Sequence, residues 1–213
     1  MEQSKVPWKK IYQAVLSCGN EHQLESFCIK VLAEVSQFCP YDQALVYFLD
    51  ENGRIYHQRL VNMDERWNHL YLVYYFQTAN GRYDCGREFR ENPSQPPVQL
   101  REWAVEPGSE FLADYIRPYG IQQSLGFPLY DIYGKPRTIF ALDRLRGQPY
   151  GEQELRLLSL LIPQLNNLHK NFFSFQAEKP LPGRIDRDTL HLTLREKPAN
   201  KKSSPKKDLT TDY

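Results

Sequence analysis

Apolar residues recur at intervals of three and four near the start of the chain, then give way to short unbroken runs. Trp8, Ile11, Tyr12, Val15 and Leu16 have helical spacing, and Pro7 is tolerated in a first turn, where a backbone N–H has no intrahelical partner. Cys18-Gly19-Asn20 ends this helix. Asn20 is placed to cap a second one, with Gln23 three residues later completing a capping box. Leu24, Phe27, Cys28, Val31, Leu32 and Val35 share one face of that helix, which stops before Pro40. Gln43 to Leu49 is apolar, aromatic and β-branched, as a buried strand is; Asp50-Glu51-Asn52-Gly53 supplies turn chemistry, and Arg54 to Val61 returns as a second strand.

The middle of the chain is less regular. Asp64 to Phe76 reads as helix, with Trp67, Leu70, Tyr71 and Tyr74 at helical spacing. Gly81 to Val105 is rich in Gly, Pro, Asn and charge and predicts a loop; Glu110 to Ile116 predicts a short helix ending at Pro118. In Ser124 to Tyr130, Leu125, Phe127 and Leu129 alternate with Ser124, Gly126 and Pro128. This is a strand near a sheet edge, because Pro128 has no N–H for the ladder. Arg137 to Arg144 is its partner across a turn at Asp131 to Pro136, and a long helix follows from Gly151 to Phe175. Two hairpins interleaved with helices give an α+β fold, an antiparallel sheet with helices packed on it and a long C-terminal helix.

Length, charge and composition narrow the class. The 213 residues carry a net charge of +1, so no strong field favours nucleic acid or an anionic membrane. Cys18, Cys28, Cys39 and Cys85 have no metal-site spacing, and nothing resembles a signal peptide or membrane span. The expectation is a cytoplasmic protein with reduced thiols acting as small buried hydrophobes. Beyond Gln176 the chain turns to Lys, Pro, Ser and Asp, too polar to order itself.

Three groups of residues carry candidate chemistry. Trp67, Tyr71 and Tyr75 lie four apart on one helical face; their rings can wall a pocket for an apolar or aromatic small molecule, with indole N–H and phenol O–H groups orienting it. Trp103, Tyr115 and Phe111 are placed to close the same cavity. The alternative is that these rings fill the space between helix and sheet. In the long helix, Leu158, Leu161, Leu165, Leu168, Phe172 and Phe175 form a heptad seam. Its first half reads as core; the second, with Asn166, Asn167, His169, Lys170 and Asn171 off the seam, reads either as a dimerisation stripe through Leu161, Leu165, Leu168 and Phe172 or as simple core packing. Each apolar side chain buried there contributes about 1.5–3 kcal/mol before entropy. Pro163 predicts a kink between the halves. The tail cations Arg195, Lys197, Lys201, Lys202, Lys206 and Lys207 can give only salt-sensitive, sequence-independent contact with phosphates.

Catalysis lacks a constellation. His22, His57, His69, His169 and His191 are scattered, and no phosphate loop, nucleophile elbow or acid pair is present. Asp143-Arg144 reads as a structural salt bridge and Asp131 as turn chemistry. A non-enzyme without metal or cofactor is expected.

Three motifs in order resemble one family. Ser124-Leu125-Gly126-Phe127-Pro128-Leu129-Tyr130 with Phe140-Ala141-Leu142-Asp143-Arg144 resembles the final hairpin of the GAF-like sensor domains of LuxR-type transcriptional regulators. Tyr150-Gly151-Glu152-Gln153-Glu154-Leu155, with Leu158, Leu161 and Pro163-Gln164-Leu165, resembles their closing helix. Leu192-Thr193-Leu194-Arg195-Glu196 resembles the opening of their helix-turn-helix domain, but Lys197-Pro198 follows, where that domain's first helix continues. The resemblance implies a GAF/PAS-like sensor and dimerisation domain over residues 1–176. It implies a linker and truncated helix-turn-helix remnant over 177–213, without specific DNA binding. The partners it implies are a small ligand and either a second copy or a full-length regulator; the alternative is a ligand-free dimerisation module. Trp67 and Tyr71 also match the Trp-x-x-x-Tyr of the quorum-sensing members. The Asp-Pro that follows in those proteins is absent, with Asn80-Gly81-Arg82-Tyr83-Asp84 in its neighbourhood, so a small-molecule pocket carries over and the acyl-homoserine lactone does not.

Overall fold

The computed structural model describes residues 6–76, 87–91, 98–105, 108–145 and 147–174, all within the unit Met1–Ala177. Cys85, Asn80 to Asp84, Phe175, the boundary at 176 and Leu192 to Glu196 lie outside the described residues. The elements run α1 (Trp8–Gly19), α2 (Leu24–Val35), β1 (Gln43–Leu49), β2 (Ile55–Val61), α3 (Glu65–Leu70) and a π-helical segment (Tyr71–Tyr75). Next come α4 (Arg87–Glu91), β3 (Gln99–Glu102), a second π-helical segment (Phe111–Ile116), α5 (Arg117–Tyr119), β4 (Gln123–Tyr130), β5 (Pro136–Arg144) and α6 (Glu152–Ser174).

The strands form one antiparallel sheet in the order β2-β1-β5-β4-β3. The α+β architecture expected from the pattern is therefore the one observed. Strand alternation divides the sheet into two faces. Ala44, Val46 and Phe48 of β1, Leu125, Phe127 and Leu129 of β4 and Phe140 and Leu142 of β5 point to one face. There they meet Phe27, Val31 and Leu32 of α2 and Leu158, Leu161 and Leu165 of α6, all buried. Leu45 and Tyr47 of β1 point to the other face.

Several sequence expectations shift for local reasons. In α1 the buried stripe is Ile11, Ala14 and Cys18, while Trp8, Tyr12 and Leu16 are exposed; two adjacent stripes share the helical period and only one meets the core. Gln23, without a side-chain cap bond, precedes α2, and Asn20 instead follows α1. The stretch expected as loop over Gly81 to Val105 contains α4 and the short edge strand β3; β3 is held by backbone pairing to β4, which leaves little trace in side-chain pattern. The helix after Phe111 passes through Pro118, seated in the first turn of α5, and ends at Gly120, whose φ of 72° is the left-handed cap conformation that favours glycine. Pro128 lies past the end of β3, which pairs only as far as Gly126.

The long helix runs unbroken through Pro163. Leu161 and Leu165 belong to the chain's own core, at 1% and 0% exposure. Leu168 and Phe172 are half-buried against that core, and Phe172 meets the ring of Phe27 at 5.3 Å. Two residues expected off the seam face the sheet. Asn166 Oδ1 accepts from the backbone N–H of Tyr130 at 2.6 Å. His169, fully buried, lies 3.1 Å from both Thr138 Oγ1 and the Tyr130 carbonyl, and burial lowers its pKa to about 4. Cys18, Cys28 and Cys39 are free and buried, and burial pushes their thiols up, Cys18 and Cys39 to about 12.

Candidate functional site: an aromatic face on the sheet

The face opposite α2 and α6 is built differently. Asp64 caps α3, its carboxylate accepting from Arg66 N, and starts the helix that carries Trp67. An uninterrupted α-helix would carry every fourth residue progressively round its axis. Widening to i→i+5 bonding, with Phe76 N donating to the Tyr71 carbonyl at 2.8 Å, turns that drift back. Tyr71 and Tyr75 are consequently both buried, at 7% and 4% exposure, with Tyr71 stacked on Tyr47 of β1. The second π-helical segment does the same for Phe111 and Tyr115, buried at 6% and 5%. π-helical turns are rare and cluster at functional sites, and both of these carry rings of one cluster.

All five residues expected to line a pocket, Trp67, Tyr71, Tyr75, Trp103 and Tyr115, converge here. Trp67 stacks on Tyr119 at 4.2 Å and on Tyr115 at 4.7 Å, and Tyr115 stacks on Phe111 at 5.0 Å, each pair within 18° of parallel. Tyr75 meets Phe111 and Tyr115 edge-on at 5.0 and 5.4 Å. Tyr71 lies 5.9 Å from Tyr115 and 6.1 Å from Tyr47 of β1, and Trp103 meets Phe111 at 5.7 Å. Such pairs contribute about 0.5–1.5 kcal/mol each beyond the area they bury. The rings pack against one another as well as against the sheet.

Their polar tips are tied into two chains. Trp103 Nε1–H donates to Ser124 Oγ at 2.8 Å, Ser124 Oγ–H donates to Asp143 Oδ1 at 2.5 Å, and Gln43 Nε2–H donates to Asp143 Oδ2 at 2.9 Å. This ladder crosses β4, β5 and β1 at one end of the face. Burial pushes the Asp143 carboxyl above its usual range, opposed by the bonds from Ser124 and Gln43. Tyr115 is pushed up by burial and then by the charge of Asp143. The second chain runs from Tyr47 OH to Asn68 Oδ1 at 2.5 Å and from Asn68 Nδ2 to Gln58 Oε1 at 2.6 Å. Trp67 is different. Its Nε1–H is buried with no protein acceptor in reach, a loss of about 1–3 kcal/mol for such a group.

Asp143 and Arg144 therefore do not form the expected salt bridge. As neighbours on a strand they point to opposite faces. Arg144 binds Glu154 at 2.5 Å and the carbonyls of Pro40 and Gln148, both at 2.9 Å, and lies over the Tyr150 ring. That guanidinium lines a surface cavity of about 340 Å³ with Pro40, Tyr41, Asp42, Gln148, Pro149 and Glu154, away from the aromatic cluster. Asp131 is a turn residue as expected, accepting from Tyr133 N and Lys135 N. Among the described residues no group of His, Cys, Asp or Glu is arranged to hold a metal ion, and no helix is long and apolar enough to cross a membrane.

Tyr119, Tyr47 and the Ser124–Asp143–Gln43 ladder were not anticipated as site residues. Tyr119 follows Tyr115 by four, and Asp143 shares strand parity with Ala141 on the inward face; those were the available signals.

A family model for the GAF domain matches residues 23–167, a span that includes every residue of the cluster. The chain belongs to the GAF domain family. GAF domains are a ligand-sensing regulatory fold, and solved structures agree on the architecture. The N-acylhomoserine-lactone-dependent LuxR-family transcription factor CepR2 from Burkholderia cenocepacia superposes with a TM-score of 0.54 at 14% identity, covering 78% of this chain and 94% of that one. The phycocyanobilin-bound GAF domain of a cyanobacterial phytochrome gives 0.55 at 12% identity, covering 80% and 97%. A phycoerythrobilin-bound GAF domain of a cyanobacterial phytochrome gives 0.52 at 13%, covering 78% and 96%. At these identities the likeness is one of fold. No curated protein matches the sequence.

Proposed function

We propose that this GAF domain is the sensor of a LuxR-type transcriptional regulator and holds a small apolar or aromatic molecule against its aromatic face. The observation that carries the reading is the convergence of Trp67, Tyr71, Tyr75, Trp103 and Tyr115 on one face of the sheet, with a buried indole N–H left without an acceptor. Leu192 to Glu196 supports the regulator class, as does the likeness to CepR2, whose own ligand is not transferred. Binding would favour one arrangement of the helices that carry the rings, and the population shifts by the ligand's differential affinity for it. α6 is the proposed route out. Its half-buried Leu168 and Phe172 are the part of the expected stripe left for a second copy or a full-length regulator, since Leu161 and Leu165 are core. The protein acts by sensing and not by catalysis.

The ring-on-ring packing favours a second reading, a dimerisation module in which the aromatics are core alone. Native mass spectrometry of the gently purified full chain separates the two. A retained small molecule that is lost from a folded Trp67→Ala variant supports sensing. A chain that retains nothing, and whose Trp67→Ala variant simply unfolds, supports the structural role.

A further inference from the structure

Tyr115 and Tyr119 are four residues apart on consecutive helical segments, yet their rings do not stack on each other. The indole of Trp67 stands between them, parallel to Tyr115 within 18° and to Tyr119 within 16°. Two tyrosine faces thus form a slot one ring thick, whose occupant comes from a different helix.

The occupant is poorly matched to its place. Trp103 and Tyr47 on the same sheet face both have their polar tips hydrogen-bonded, whereas the Trp67 Nε1–H is buried and unbonded. α3 has six residues and passes at once into a π-helical turn, and the helix bearing Tyr115 is π-helical as well. Helical segments this short have little stability of their own, so the packing of their rings sets their position.

We infer that the slot between Tyr115 and Tyr119 is the seat of a flat aromatic ligand, and that Trp67 is the latch which fills the slot until such a ligand displaces it. The inference rests on the sensing function proposed above and adds the ligand's shape and its point of entry. A planar ring entering the slot replaces both stacking contacts of the indole. The released indole carries its N–H to water, where the unmet hydrogen bond is made. The exchange therefore has a compensating gain that displacement of a fully bonded residue would lack. Because Trp67 is continuous with Tyr71 and Tyr75, its departure also moves the rings that rest on the sheet, which couples occupancy to the fold.

The test uses the full chain labelled with 5-fluorotryptophan. Its three tryptophans give fluorine resonances assigned through Trp8→Phe, Trp67→Phe and Trp103→Phe. N-phenyl-1-naphthylamine, an uncharged aromatic, serves as probe. The Trp67 resonance is expected to move toward its unfolded-chain position in proportion to probe bound, while Trp8 stays fixed. Tyr119→Leu, which keeps bulk but removes one flat wall, is expected to bind the probe at least tenfold more weakly while its circular dichroism is retained. Probe bound with the Trp67 resonance unmoved, and with Tyr119→Leu binding within twofold of the parent, overturns the latch. So does the absence of probe binding up to its solubility limit. In either case a small molecule retained in the native mass spectrum leaves the sensing function standing, so the two proposals fail separately.

Discussion

One face of the sheet is covered by regular α-helices, α2 of 12 residues and α6 of 23; the other is covered by two helical stretches, 65–75 and 111–119, each partly π-helical. The first face is aliphatic with a few phenylalanines, and its buried histidine has hydrogen-bond partners on both ring nitrogens. The second is aromatic and holds a buried carboxyl, two hydrogen-bonded chains and one indole N–H with no acceptor. Long amphipathic helices gain stability through continuous apolar stripes. Helical stretches interrupted by π-turns lack such a regular stripe and rely on what their rings touch. The difference separates a face held by aliphatic stripes from a face held by ring contacts and buried hydrogen bonds.

The comparison breaks most visibly if the first face tolerates truncation. Phe140, fully buried and stacked on Phe127 at 4.7 Å, is the sharpest case. Phe140→Ala is expected to lower unfolding free energy by about 4 kcal/mol in urea titration.

The second test is pH, because each face buries a group, His169 on one and Asp143 on the other, whose pKa shifts act with opposite sign. His169 has a folded pKa lowered to about 4, against about 6.5 in the unfolded chain. As pH falls the unfolded chain takes up its proton first. The stabilisation is complete above about pH 6.5 and is lost on the way down to about pH 4, a span worth about 3 kcal/mol. His169→Gln should flatten that stretch of the stability profile.

Asp143 lies on the other face, with a folded pKa raised by burial. Its contribution is present below the unfolded aspartate pKa and disappears as pH rises through the folded value. Asp143→Asn should therefore remove a decline in stability on the rising side and change little in strong acid, as read from denaturant midpoints at each pH. A variant pair with the same sign on both faces would dissolve the contrast.

The smallest effect expected is at Tyr119, half-buried at the outer end of the stack. Tyr119→Ala should cost about 1 kcal/mol in thermal or urea unfolding, much less than Phe140→Ala. A loss as large as that of Phe140→Ala would show the second face to be core like the first.

The same contrast governs what the sequence made legible. The helices of the aliphatic face were visible because their stripes persist over several turns; the first hairpin was visible from an apolar, β-branched run and turn residues, the second from alternation and a turn. α1 shows the limit, since a wide apolar arc does not say which edge meets the core, and Trp8, Tyr12 and Leu16 proved to be outside. On the aromatic face, spacing by four put Trp67, Tyr71 and Tyr75 on one helical side, and all three join the same cluster. It could not show the π-turns that align them, because i→i+5 bonding has no side-chain signature. Asp143 was misassigned for a related reason. Adjacency along the chain suggested a pair with Arg144, whereas strand geometry sends the two side chains apart and joins Asp143 to Gln43, a hundred residues earlier. β3 was invisible because an edge strand held by backbone bonds needs no apolar pattern of its own.

The outer margin of β4 has a consequence for how the protein behaves when concentrated. Among the described residues β3 covers β4 only from Gln123 to Gly126, and a ladder left uncovered beyond that would ordinarily offer its N–H groups to any passing extended peptide. Pro128 has no N–H to offer, and the next of the same parity, that of Tyr130, is already bonded to Asn166 of α6. Among the described residues, a chain trying to lengthen the sheet there finds no donor in two successive places. Replacing Pro128 or Asn166 would reopen that seam, and the first sign would be turbidity and growing particle size at constant fold, well before any loss of melting temperature.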